Sequence, residues 1–174
     1  MDKIHTLSTH GDWETPKEMV DKLSSFFLWD LDVCAERPNV CTRYFTREQD
    51  GLKWEWHGLC WMNPPYGKKR GINLWIEKAR KEGAKEGTAV VCLLPARTGT
   101  HWWQDNVPYA DFVVFIDGRL RFDLPGGEKA PNSAGFPSAL VVFGKLLTIH
   151  KVVLSTYGWA LEMADRKNAS RSTD

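Results

Sequence analysis

The sequence predicts an α/β layered fold with a mostly parallel sheet, on three observations. Apolar strand-type runs alternate with helix-period segments along the chain. Two of those runs stop at proline, Gly58 to Met62 before Asn63-Pro64-Pro65 and Thr88 to Leu94 before Pro95, as buried strands do when they reach a rim. No internal repeat or Gly/Ser linker divides the 174 residues, a length that suits one domain of about 150 residues. That domain is expected over 1–164, with 117–137 a small polar excursion. The polar stretch 165–174 is expected to be a frayed tail.

In order along the chain, Thr15, Pro16 and Glu18 read as a capping box with Pro at the first helical position. Met19, Val20, Leu23 and Phe26/Phe27 then recur at helical spacing, predicting a helix over Pro16 to Leu28. A short strand is expected from Trp29 to Ala35, and a weaker one from Thr42 to Thr46. After the Gly58 to Met62 strand, Ile72, Trp75, Ile76 and Ala79 mark an amphipathic helix that closes near Gly83 and Gly87. Thr88 to Leu94 is a continuous, buried-type strand. A short helix near Thr100 to Asn106 leads to a strand from Phe112 to Ile116. Beyond the excursion, Ala139 to Phe143 reads as a buried strand and Leu146 to Leu154 as one more.

Composition excludes several classes. Lys and Arg number 23 against 22 Asp and Glu, a net charge of +1, which rules out a strongly basic polyanion binder but not a local basic groove. The longest apolar run, Ala89 to Ala96, is far short of the ~20 residues of a membrane span, and the first residues show no secretory pattern. Cys34, Cys41, Cys60 and Cys92 form no C-x-x-C and have no His at zinc spacing. The expectation is a cytoplasmic, reduced protein without metal or membrane. Nine Trp, beside eight Phe and four Tyr, must fill a core or line a surface where flat rings are useful.

Asn63-Pro64-Pro65-Tyr66 carries the chemistry. An adjacent Pro pair at a given place has a chance of about one in 400, and here it follows a buried strand between Asn and Tyr. Two prolines fix the backbone, so the Asn63 side-chain oxygen and the Pro64 carbonyl can converge as paired acceptors. Paired acceptors suit an exocyclic amino group, and Tyr66 offers a ring face on which a planar base can stack. Accepting both amino hydrogens favours a pyramidal nitrogen whose lone pair is free for in-line attack, a preorganised-dipole device.

These residues resemble the catalytic motif of S-adenosylmethionine-dependent amino-methyltransferases. More narrowly, the chain resembles the phage-type DNA N-6-adenine methyltransferase (Dam) family. The matching pieces run in order from Trp13-Glu14-Thr15-Pro16 through Leu31-Asp32-Val33-Cys34-Ala35, Asp50-Gly51-Leu52, Asn63-Pro64-Pro65-Tyr66-Gly67 and Leu93-Leu94-Pro95-Ala96-Arg97-Thr98 to Pro137 through Phe143. The resemblance implies methyl transfer from S-adenosyl-L-methionine to a DNA adenine on a Rossmann-like methyltransferase fold, mostly parallel with an antiparallel last strand, Ala139 to Phe143. It implies Asn63, Pro64, Pro65 and Tyr66 as catalytic, and Trp13, Thr15, Pro16, Asp32, Cys34, Ala35, Asp50, Asn63 and Pro64 around the cofactor. The run Asp32-Val33-Cys34-Ala35-Glu36-Arg37 has no glycine where broader methyltransferases carry a glycine-rich turn, so a differently shaped methionine pocket is expected.

An adenine inside double-stranded DNA must be flipped out to react, which calls for phosphate contacts around the site. Lys68, Lys69 and Arg70 follow the catalytic Tyr, Arg97 follows the next strand, and Arg119 and Arg121 flank the 117–137 excursion, which is expected to serve target recognition. All six are expected on one rim. The same chemistry could serve an RNA base or a protein amide. A cofactor-free, methyltransferase-like DNA-binding module is the third reading, motivated by the missing glycines. The sequence is compatible with a monomer and leaves the recognised DNA site open.

Overall fold

The computed structural model describes residues 13–66 and 71–163. Six strands form one sheet in the order β1-β2-β3-β5-β4-β6. They are β1 (Leu31–Asp32), β2 (Gly58–Met62), β3 (Thr88–Pro95), β4 (Phe112–Ile116), β5 (Ser138–Phe143) and β6 (Gly158–Glu162). β1, β2 and β3 pair parallel, with Asp32 opposite Trp61 and Met62 opposite Cys92. β5 slots antiparallel between β3 and β4, as expected for Ala139 to Phe143, so β1 to β4 all point the same way. Their carboxyl ends share one rim, and ligands of such sheets bind outside it. β3 and β5 are buried at every position, which accounts for their unbroken apolar runs.

Among the described residues four α-helices pack around the sheet: α1 (Lys17–Ser24), α2 (Ile72–Gly83), α3 (His101–Gln104) and α4 (Thr148–Ser155). α2 buries Ile72, Trp75, Ile76 and Ala79, the apolar stripe read from its sequence. α1 is shorter than expected, because the chain turns back at Leu23 and Phe27 enters the core, stacked between Trp29 and His150 at 4.6 and 4.3 Å. Only Leu31–Asp32 of the Trp29 to Ala35 run pairs as a strand, and Thr42 to Thr46 contributes a lone bridge between Tyr44 and Asp32.

The run Leu146 to Leu154 is not a strand. It is the turn into α4, which buries Val153 and Leu154 against the sheet. The last strand among the described residues is instead β6, antiparallel to β4 at the edge, with Trp159 67% and Leu161 42% exposed. The capping box also fails. Pro16 occupies the cap position without a side-chain bond, and the helix's first free N–H, on Lys17, donates to Asp123 Oδ2 at 2.9 Å. A carboxylate more than a hundred residues away does what Thr15 was expected to do, which leaves the Thr15 hydroxyl free for the site.

Candidate active site

β1 and β2 deliver Asp32 and Asn63 to adjacent points on the rim, since their strands pair in register. A cavity of about 440 Å³ opens there, lined by both residues and by Trp13, Thr15, Cys34 and Ala35, within the ~300–1,000 Å³ usual for small-molecule sites. Asp50 lines it too, from a left-handed backbone position (φ 53°) where its carboxylate accepts from Leu52 N–H. The next residue must be glycine, because a Cβ at Gly51 would fall 2.1 Å from the Val33 carbonyl oxygen.

Asp32 is 3% exposed. Its carboxylate accepts one bond, from Cys34 N–H at 3.2 Å. Burial pushes its pKa up to about 7, against the smaller opposing pull of that N–H. The Cys34 thiol is raised well above its ordinary value, first by burial and then by Asp32. It is therefore a poor nucleophile.

Asn63 is tied at both ends of its carboxamide. Its Nδ2 donates to the Trp13 carbonyl at 2.8 Å and to Thr15 Oγ1 at 3.4 Å. Its Oδ1 accepts from the Tyr66 hydroxyl at 2.5 Å. Tyr66 does not present a stacking face: it is 7% exposed, and its ring meets Phe122 and Phe136 edge-on at 6.0 and 5.7 Å. The Pro64-Pro65 turn folds the ring inward, and burial raises its pKa, keeping the phenol protonated. The hydroxyl has a second acceptor, the Leu93 carbonyl at 3.0 Å.

The residues expected around a cofactor are therefore mostly brought together. Pro16 and Pro64 are not part of the cavity wall, because Pro16 caps α1 through its backbone and Pro65, not Pro64, faces the space. Glu14, Arg37 and Trp75 line it without having been expected there. Glu14 and Arg37 meet as a bidentate pair, at 3.1 Å for one contact, and Glu14 also accepts from Gly126 N–H at 3.2 Å. The signal was the position of Glu14 inside Trp13-Glu14-Thr15-Pro16. Trp75 was read only as core, and it serves as both core and wall.

The excursion beyond β4 is tied to this site. Leu124 N–H donates to Glu128 O, and Ala130 N–H to Phe122 O, closing a small hairpin. Asp123 bridges antiparallel to Glu14. Arg97, Arg119 and Arg121 are exposed beyond the ends of β3 and β4. Arg97 lies 5.8 Å over the Phe136 ring, and Arg121 Nε donates to Ala130 O at 2.6 Å. Lys68, Lys69 and Arg70 lie outside the described residues. Of the neighbouring indoles on α3, Trp103 is buried and Trp102 half-buried.

A family model described as DNA N-6-adenine-methyltransferase (Dam) matches residues 3–168. A DNA N-6-adenine-methyltransferase of Haemophilus phage HP1 is 32% identical over 151 residues, 82% of this chain and 84% of the relative. Another of the same name, from Escherichia phage T1, is 30% identical over 122 residues, 68% of this chain. The matched segment spans about half of that T1 relative, 50% of its length.

Proposed function

Because the chain belongs to the DNA N-6-adenine-methyltransferase (Dam) family, we propose that it transfers a methyl group from S-adenosyl-L-methionine to the N6 amino group of an adenine flipped out of double-stranded DNA. The observation that carries this reading is Asn63 at the wall of a cavity that also holds the buried Asp32 carboxylate.

The cavity suits the proposed donor, which would supply a methyl group activated on a sulfonium. Asp32, with one backbone donor for its two oxygens, would pair with the ammonium of the methionine part. Trp13 and Trp75 offer ring surfaces, and the Asp50 carboxylate offers acceptors for ribose hydroxyls. The glycine-free turn after β1 matches this design, because Asp32 and the Cys34 and Ala35 backbone take up the wall that a glycine loop would otherwise shape.

On the acceptor side, the adenine amino group needs acceptors, and Asn63 Oδ1 is one. Turning the Tyr66 O–H from Asn63 Oδ1 to the Leu93 carbonyl releases a lone pair without moving a heavy atom. The amino group would then donate to Asn63 Oδ1, which favours a pyramidal nitrogen with its lone pair localised for attack. The transfer would be direct: the N6–methyl bond forms as the donor's sulfonium–methyl bond breaks, the donor leaves as a neutral thioether, and the methylated nitrogen gives up one proton to solvent. Arg97, Arg119 and Arg121 would take phosphates around the flipped base, with Lys68, Lys69 and Arg70 beside them in sequence. The place of work is the cytoplasm, where such DNA is found.

Methyl transfer from tritiated cofactor to duplex DNA, RNA and protein tests the reading, together with modified-base sequencing of a plasmid expressed with the protein. Label in N6-methyladenine of duplex DNA is expected. Label in RNA or protein alone, or no cofactor binding at millimolar concentration, would overturn it.

A further inference from the structure

The strap Trp13–Pro16 crosses the cavity and ends on the catalytic carboxamide. A carbonyl oxygen can only accept, so the Trp13 carbonyl 2.8 Å away requires the nitrogen of Asn63 to face the strap and the oxygen to face away from it, where it accepts from the Tyr66 hydroxyl. The reverse orientation would set oxygen against oxygen and present N–H groups to an amino group that is itself a donor. The Thr15 hydroxyl adds a second hold. Its oxygen accepts from Asn63 Nδ2 at 3.4 Å and from the fully buried Trp61 indole N–H at 3.2 Å. The strap is pinned in turn from the hairpin: Glu14 and Asp123 exchange two backbone hydrogen bonds, at 2.9 and 3.1 Å.

We propose that this strap is the positioning element of the reaction: the Trp13 carbonyl and the Thr15 hydroxyl hold the nitrogen of the Asn63 carboxamide, keep its oxygen on the opposite side as the acceptor, and so make Asn rather than Asp the residue this chain can use at position 63. The inference rests on the methyl-transfer reading above and concerns the orientation of one side chain within it. An Asp at 63 sets a second acceptor against the Trp13 carbonyl. The Thr15 hydroxyl can turn its hydrogen toward such a carboxylate, but the carbonyl is left facing negative charge. Protonation of that Asp restores a donor toward the strap and leaves a carbonyl oxygen toward the substrate.

The test compares Thr15→Val, Thr15→Ser and Asn63→Asp with the wild type, each first shown to bind S-adenosylmethionine by calorimetry. Thr15→Val is expected to lower kcat about tenfold with KM for cofactor and DNA within about threefold, and Thr15→Ser to restore it. Asn63→Asp is expected to be nearly inactive at pH 8, with kcat at saturating cofactor rising as pH falls toward 6, opposite to the wild type. The charged and ionisable groups of this wall are Glu14, Asp32, Cys34, Glu36, Arg37, Arg47 and Asp50, with Tyr66 bonded to residue 63 from behind. They are present in wild type and variant alike, so the difference between the two profiles belongs to residue 63. If Thr15→Val changes only cofactor KM, Thr15 is a cofactor contact and the proposal falls. Asn63→Asp activity equal to wild type at pH 8 would also overturn it. A wild-type protein that does not methylate DNA adenine fails the underlying reading instead, a result distinct from either of these.

Discussion

At the ends of β1 and β2 the polar groups are buried and held, whereas beyond β3 and β4 the charges stand in solvent. Asp32 and Thr15 are each 3% exposed, and the Asn63 carboxamide is bonded at both ends. Arg97, Arg119 and Arg121 are all exposed, Arg97 over the Phe136 ring and Arg121 donating to the Ala130 carbonyl. A buried polar group is costly unless its partners are fixed, so the first region is specific and intolerant. A solvated cation is cheap and nearly interchangeable, so under the proposed function the second region would gain affinity for DNA by number. That function would then divide chemistry from attraction at one end of the sheet, and substitutions should separate them too.

The largest effect is expected from Asn63→Ala. It should lower kcat by roughly 10²–10³ or more while the calorimetric affinity for S-adenosylmethionine stays within a few-fold. Substantial turnover would remove the distinction between the two regions.

Asp32→Asn comes next, with a pH signature. The Asp32 carboxyl is at about 7 in the folded chain, against 3.8 ordinarily, so its neutral form is favoured by folding. Its stabilising preference is full below pH 4 and is lost as pH rises through 7, a change of about 4 kcal/mol at most. Without ligand, the stability of Asp32→Asn relative to wild type should therefore rise between pH 4 and 7, read as urea midpoints. A cationic ligand reverses the sign: wild-type cofactor affinity should increase as pH climbs toward 7 and level off above it. In Asp32→Asn it should be flat and, at pH 8, weaker by about tenfold or more.

The arginine rim should respond by degrees. Each of Arg97→Ala, Arg119→Ala and Arg121→Ala should weaken DNA binding across all sequences and reduce the salt slope by about 1, with cofactor affinity untouched. A loss confined to one of the three would make the rim a specific contact surface. Glu14→Gln should do least: the Glu14–Arg37 pair is half exposed on the Arg side, so its rupture should cost under about 1 kcal/mol in thermal unfolding.

The residues that were legible from sequence are those whose signals are local. β2 and β4 have the expected bounds, Gly58–Met62 and Phe112–Ile116, because apolar runs between Gly, Pro and Asp leave little choice of register. α4 was misread because Thr148, Ile149, Val152 and Val153 are β-branched, while its helical character comes from packing Val153 and Leu154 onto the sheet. β6 escaped notice because an exposed edge strand has no buried run to reveal it. In the site, the Asn63 motif and Asp32 could be read, since both sit where strands end. The true partners of Thr15 could not, because Trp61 and Asn63 lie 46 and 48 residues away. A Ser/Thr-Pro pair followed by Glu looks like a cap whatever crosses above it. Tyr66 illustrates the same limit: whether its ring points outward or inward depends on Phe122 and Phe136, late in the chain.

The place of β5 has a consequence for synthesis. β3 and β4 are consecutive in sequence yet do not touch along their length, because β5 lies between them. A growing chain that has emerged only as far as Gly135 holds the Asp32 and Asn63 strands but leaves one edge of β3 and both edges of β4 unpaired, with an empty slot where β5 belongs. Any extended segment of another chain can enter that slot. Fragments ending before Phe143 should therefore aggregate, and the protein becomes safe from itself only when its fifth strand slides home.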